Sequence, residues 1–213
     1  MNNLFNVSQR FVLIKDMTGI LDFDIIEKHF NKLTWKNNVS NQISIEKNLF
    51  DHNKLSKIKK QLVLECEEYL KTTLSMEPHF TNLKMTNSWG NITDSGYMHH
   101  EHEHPFSIVS GTLYLDNNPA NLNLYVESYL PQIPHFIKRA KSYVSLKSLC
   151  YDNNHDVIAA NNLQNHLVLF LSTFSHWVDR SDDNIMPRRS VAFNTFWDGV
   201  VGIKTEELGS LDF

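Results

Sequence analysis

Apolar positions follow two regimes along this chain. Through the first eighty or so residues they recur at helical spacing, and from about Thr81 onward they alternate or bunch in short runs between Asn, Pro and Gly. A short strand at 10–14 comes first. Asp22 or Asp24 is placed to cap a helix carrying Ile25, Ile26, His29, Phe30 and Leu33. The clearest helix spans 53–76, where Leu55, Ile58, Leu62, Cys66, Tyr69 and Leu74 recur with Lys and Glu between them, and Pro78 stops it. Its stripe is broad and short, which suits packing on a sheet and also offers a face to a second copy in a homodimer. Strands are expected at 83–89, 97–104, 108–115, 122–126, 142–146, 156–160, 166–172 and 190–197. Helices first and short strands later predict an α+β fold, a sandwich or jelly roll with helices on one face. The expected organisation is one domain over 1–213, with 1–80 mainly helical support and 81–198 the β core.

Composition narrows the function classes. With 213 residues and a net charge of −4, the chain can build one sizeable core and has no basic field for gripping nucleic acid. The longest apolar run, Leu167-Val168-Leu169-Phe170-Leu171, is far short of a membrane span. Met1 to Arg10 is polar, without a signal-peptide core. Cys66 and Cys150 stand in no paired spacing and read as reduced thiols, so a cytoplasmic location is expected.

The informative chemistry lies in Gly96-Tyr97-Met98-His99-His100-Glu101-His102-Glu103-His104-Pro105, where four of the eleven histidines fall within six positions. On a strand, alternate side chains share a face, so His100, His102 and His104 are expected on one side and His99, Glu101 and Glu103 on the other. Two imidazoles two apart can seize one ion, with a third ligand from a distant strand. His176, in Ser175-His176-Trp177-Val178 after an apolar strand, is the candidate. Imidazoles alone do not choose between iron, zinc, copper and nickel. His29, His52, His79, His135, His155 and His166 are isolated and read as structural or exposed. In Arg188-Arg189-Ser190-Val191-Ala192-Phe193-Asn194, Arg188, Ser190, Ala192 and Asn194 share a face. An inward Arg188 is a planar fork for a carboxylate, and Arg189 then points outward. No phosphate loop and no Ser–His–Asp or Cys–His constellation is evident.

Taken in order, Trp89-Gly90-Asn91, Gly96-Tyr97, His102-Glu103-His104-Pro105, Ser107, Ser110-Gly111-Thr112-Leu113-Tyr114-Leu115, Leu167 to Ser172, His176-Trp177-Val178 and Arg188 to Asn194 resemble a family of 2-oxoglutarate–Fe(II) oxygenases found in phages and marine bacteria. The resemblance spans about 81–198. It implies a prolyl-hydroxylase-like double-stranded β-helix, with Fe(II) and 2-oxoglutarate as cofactors for hydroxylating a substrate that it does not identify. It further implies that His102, His104 and His176 are the metal ligands, and that Arg188 and Ser190, with Asn91 beside them, hold the cosubstrate. Tyr114 lies in a matching strand. The sequence departs from the pattern where the second member of the histidine pair is His104 rather than a carboxylate, and where Leu171 replaces a proline, a change expected to loosen the turn before His176. The missing carboxylate keeps open a three-histidine enzyme of other chemistry, such as a thiol dioxygenase or zinc hydrolase. A non-catalytic, metal-stabilised module of a virion is a further alternative.

Overall fold

The computed structural model describes residues 2–7, 10–74, 82–117, 122–126, 142–145, 163–180, 186–202 and 210–212. Its strands are β1 (Asn2–Val7), β2 (Arg10–Asp16), β3 (Trp35–Asn37), β4 (Gln42–Ser44), β5 (Leu83–Thr93), β6 (His99–His102), β7 (Val109–Tyr114), β8 (Leu122–Val126), β9 (Ser142–Ser145), β10 (His166–Leu171), β11 (His176–Val178), β12 (Arg188–Trp197), β13 (Val200–Gly202) and β14 (Ser210–Asp212). Its helices are α1 (Phe23–Phe30) and α2 (Ser56–Leu74), the latter entered through short 3-10 turns at Leu49–Asp51 and Asn53–Leu55. The expected strand at 156–160 and Cys150 lie outside the described residues. Among the described residues, no helix is long and apolar enough to cross a membrane.

An eight-stranded sheet in the order β1-β2-β10-β7-β12-β5-β4-β3 faces a four-stranded one in the order β6-β11-β8-β9, and β13 pairs with β14. Every pairing between these strands is antiparallel. The result is a mostly antiparallel β-sandwich with few helices. The first third is more than helical support, since β1 to β4 extend the large sheet at both edges. Three-residue strands such as β3 and β4 are too short to show an alternating pattern, so helical spacing around them masks them.

Register gives the large sheet two distinct faces. Leu13, Leu113, Leu167, Leu169, Val191 and Phe193 point to one side and form the core with Phe30 of α1 and Leu62, Cys66 and Tyr69 of α2. The apolar stripe of α2 is therefore occupied by the sheet. Lys15 of β2 and Glu65 of α2 clamp this interface at 2.6 Å. At α1, Asp22 is the cap, its carboxylate accepting the Ile25 amide at 3.1 Å. Gly111 lies under the Phe193 ring, where a Cβ would meet ring atoms at 2.2–2.8 Å, so a bare backbone is required there. Residues of opposite parity, among them Trp89, Asn91, Thr112, Tyr114, Phe170, Arg188, Ser190 and Ala192, face the small sheet. Phe170 meets the His176 ring at 4.7 Å, and Trp89 meets the His104 ring at 5.8 Å.

Candidate metal centre

Between the sheets lies a cavity of about 170 Å³ whose lining includes Asn91, His99, His100, His102, His104, Tyr114, His176, Arg188 and Ser190. Every site residue expected from the sequence is therefore brought together around one space. His102, His104 and His176 each offer a nitrogen within 4.8 Å of the other two. The antiparallel pairing of His176 with His102 brings two of these rings to 4.3 Å between centroids. The His104 ring sits at 4.9 Å from His102 and 5.0 Å from His176.

Hydrogen bonds aim two of the rings. Nδ1 of His102 lies 2.9 Å from the His100 carbonyl, and Nδ1 of His176 lies 2.9 Å from the Phe174 carbonyl. A carbonyl only accepts, so each Nδ1 carries the proton and donates, leaving Nε2 bare toward the cavity. Burial holds the imidazoles neutral. It pushes His176 down to about 3 and His104 down to about 4, with the neighbouring histidines adding to both shifts, and it also lowers His102. Neutral, pre-aimed imidazoles are the form that binds a divalent transition metal.

The strand carrying the histidines differs from expectation in two ways. His104 lies beyond β6 and is tethered by its backbone amide to the Ser172 carbonyl at 3.3 Å. His99, expected on the opposite side, faces the cavity with its ring stacked on His102 at 4.9 Å. The cause is a register shift: Val178 pairs with His99 and His176 with His102, so three steps on β6 answer two on β11. Such a bulge breaks the period-two rule that placed His99 outward. The turn before His176 is held despite Leu171, for the Phe174 amide donates to the Leu171 carbonyl at 2.9 Å and the Ser172 amide to Ile108 at 3.1 Å.

The opposite end of the cavity is built on β12 and its neighbours. Arg188 is paired in register with Thr93, and Ser190 with Asn91 and Tyr114. Arg188 is only 4% exposed. Its Nη2 donates to Thr93 Oγ1 at 3.1 Å, and no carboxylate among the described residues pairs with it. Burial lowers its pKa, an effect offset in part by Tyr114. Burial also raises the Tyr114 pKa, so its hydroxyl stays protonated and able to donate. A buried guanidinium without a counter-charge is costly and calls for an anion. Arg189, on the other face, is half-buried against α1 rather than free in solvent, bonded to Asp116 and near Glu27. Sequence reasoning assigned no role to Thr93, which cross-strand register with Arg188 could have supplied, nor to Asn38, whose position on the β3–β4 loop carries no local signal.

A sequence model of the family described as "Putative 2OG-Fe(II) oxygenase" matches residues 87–194. No curated protein matches the sequence. Among solved structures, HygX from Streptomyces hygroscopicus, with nickel and 2-oxoglutarate bound, is similar over 97% of this chain and 92% of its own at 10% identity and a TM-score of 0.55. The non-heme alpha-ketoglutarate-dependent epimerase SnoN from nogalamycin biosynthesis is similar over 95% and 87% at 8% identity and 0.54. An oxidoreductase of the 2OG-Fe(II) oxygenase family from Burkholderia pseudomallei is similar over 86% and 83% at 9% identity and 0.52. At these identities the likeness is one of fold.

Proposed function

Because the chain belongs to the 2OG-Fe(II) oxygenase family, whose members use Fe(II) and 2-oxoglutarate, we propose that His102, His104 and His176 hold the iron and that Arg188 holds the cosubstrate. The observation that carries this reading is the pairing of two features across one cavity: three converging imidazoles at one end, and at the other a buried guanidinium that no carboxylate among the described residues pairs with. A dicarboxylate bridges such a pair. The imidazoles would hold the metal, and Arg188, with the Ser190 and Tyr114 hydroxyls on the same wall as further donors, would hold the far carboxylate of the cosubstrate. Asn91, fixed by Asn41 Nδ2 at 3.2 Å, lines the same wall.

Iron with bound 2-oxoglutarate supplies the oxidising power, the cosubstrate becoming succinate and carbon dioxide as one oxygen atom of O₂ goes to the substrate. The chain's own residues do the positioning. Arg188 orients the cosubstrate, while His102 and His176 are locked by backbone carbonyls. Trp89, Ile43 and Val178 give the cavity apolar walls that limit water. The reaction on the substrate is hydroxylation of a C–H bond presented at the cavity mouth. The pairing with Arg188 favours this chemistry over a three-histidine hydrolase, which has no use for a buried cation opposite the metal.

Anaerobic addition of Fe(II) and 2-oxoglutarate should produce a weak visible charge-transfer band that neither gives alone. The band should be absent in His176→Ala, with metal affinity reduced by more than about 100-fold. Retention of iron without any 2-oxoglutarate-dependent band would overturn the assignment.

A further inference from the structure

His102 and His176 are aimed by backbone carbonyls, but His104 is not. Its Nδ1 faces the side-chain amide of Asn194 at 3.4 Å. Behind Asn194 runs a line of hydroxyls. Ser110 Oγ lies 2.8 Å from Asn194 Oδ1 and 2.8 Å from Ser172 Oγ, and Ser172 Oγ lies 2.7 Å from Ser107 Oγ. Ser107 Oγ ends the line at the Thr195 carbonyl, 3.1 Å away, and the Val109 carbonyl, 3.3 Å away. Ser110, Ser172 and Asn194 are buried, so their hydrogens must be placed within the line itself.

Each hydroxyl has one hydrogen to give. The two carbonyls only accept, so Ser107 donates to them. Ser172 then donates to Ser107, and Ser110 donates to Ser172. Ser110 is left able only to accept from Asn194, which must turn its amide nitrogen toward Ser110 and its oxygen toward His104. The amide as placed presents the reverse, its nitrogen to His104. With one hydrogen per hydroxyl, that arrangement leaves one contact of the line without a hydrogen, either between Ser110 and Ser172 or between Ser107 and the two carbonyls. The two ends of an amide have nearly the same shape, so the hydrogen count selects between them.

We propose that Asn194, oriented by Ser110, Ser172 and Ser107, is a positioning residue that accepts a hydrogen bond from Nδ1–H of His104 and so leaves its Nε2 bare for the metal. The proposal rests on the reading of His104 as a ligand. It explains how this site carries an imidazole where relatives of the resembled family carry a carboxylate. A carboxylate ligates through either oxygen without preparation, whereas an imidazole ligates through Nε2 only when the proton sits on Nδ1. Three serines and an amide do for His104 what single carbonyls do for the other two rings.

The test uses the whole protein loaded with Zn(II) as a diamagnetic probe. Long-range ¹H–¹⁵N NMR should show all three histidines metal-bound through Nε2, with the proton of His104 on Nδ1. Asn194→Leu, which removes the acceptor, should weaken Zn(II) binding by about 10- to 100-fold. Asn194→Asp, which can only accept, should keep affinity near that of the unaltered protein. If His104 binds through Nδ1, or if Asn194→Asp loses as much affinity as Asn194→Leu, the proposal fails while the three-histidine site stands. If none of the three histidines shows a metal-bound nitrogen, both readings fail together. Should Asn194→Leu not fold, the spectrum of the unaltered protein alone decides which nitrogen of His104 carries the proton.

Discussion

The two faces of β12 make opposite uses of one strand. Toward the helices, Val191 and Phe193 are fully buried in the apolar core, and Arg189 is closed by Asp116 and Glu27. Toward the cavity, Arg188, Ser190 and Asn194 are also buried, yet they are polar and face open space or the His104 ring. Adjacent residues of the same type, Arg188 and Arg189, show the contrast most sharply. The helix-side face holds the fold together, while the cavity face carries a buried charge at a cost in stability, as the proposed anion site requires. Substitutions on the two faces should separate stability from binding.

The largest effect is expected on the helix side. Phe193→Ala removes a ring that packs edge-on to Phe50 at 6.3 Å and covers Gly111, and it should cost about 3–5 kcal/mol in chemical denaturation. Below its melting point the variant should bind 2-oxoglutarate as before. A comparable loss of cosubstrate affinity in folded protein would show that the faces are not independent.

On the cavity side, Arg188→Met should invert that outcome. Removing the guanidinium from a bound carboxylate costs about 2–5 kcal/mol, so the KM for 2-oxoglutarate, read from succinate release, should rise roughly 30- to several thousand-fold. Without ligand, the thermal midpoint should hold or rise, because a buried charge with no counter-charge among the described residues has been replaced by an apolar chain of similar length. A marked fall in that midpoint would mean that Arg188 is structural.

Acid should also act on the cavity side. His104 and His176 are buried neutral, with folded pKa values of about 4 and about 3 against an ordinary value of 6.5. Between those limits the unfolded chain binds more protons, so stability is full above about pH 6.5 and falls as the pH drops toward 4. At pH 5 one such group costs about 2 kcal/mol. Saturating Zn(II) should raise the whole curve without flattening it, because bound metal keeps the folded-state rings unprotonated while the unfolded chain still takes up protons. A metal-free melting temperature constant from pH 7 to pH 5 would contradict the buried, neutral cluster.

A smaller loss is expected at the sheet's closest approach. Gly111→Ala forces the Phe193 ring to shift and should cost about 1–3 kcal/mol without changing metal affinity.

This division of β12 could be read directly from the sequence, because a long, regular strand keeps its period of two and places Arg188, Ser190 and Asn194 on one side. The amphipathic stripe of α2 was equally clear. The histidine strand was legible in the residues that cluster at the cavity but not in its geometry, since the bulge opposite His176 brings His99 to the side from which alternation excluded it. Nothing local announced β3 and β4, which are held as strands by pairing with each other and with β5. The serine line was hidden for a related reason. Ser107, Ser110, Ser172 and Asn194 come from three separate stretches of chain, and only the fold shows that their hydroxyls and amide meet.

Arg189→Met should have the smallest effect, and it tests the comparison most directly. Its guanidinium grips Asp116 through Nε at 2.9 Å and Nη2 at 2.6 Å, a fork that outwardly resembles a strong ion pair. Its side chain remains 28% exposed, however, so water screens the charges and replaces the lost bonds. Such a pair contributes up to about 1 kcal/mol, and the backbone amide of residue 189 keeps its own bond to Asp116 after the substitution. A slight drop in melting temperature with an unaltered KM for 2-oxoglutarate is therefore expected. If the KM rose as in Arg188→Met, cosubstrate binding would depend on the strand's overall charge rather than on one guanidinium facing the metal.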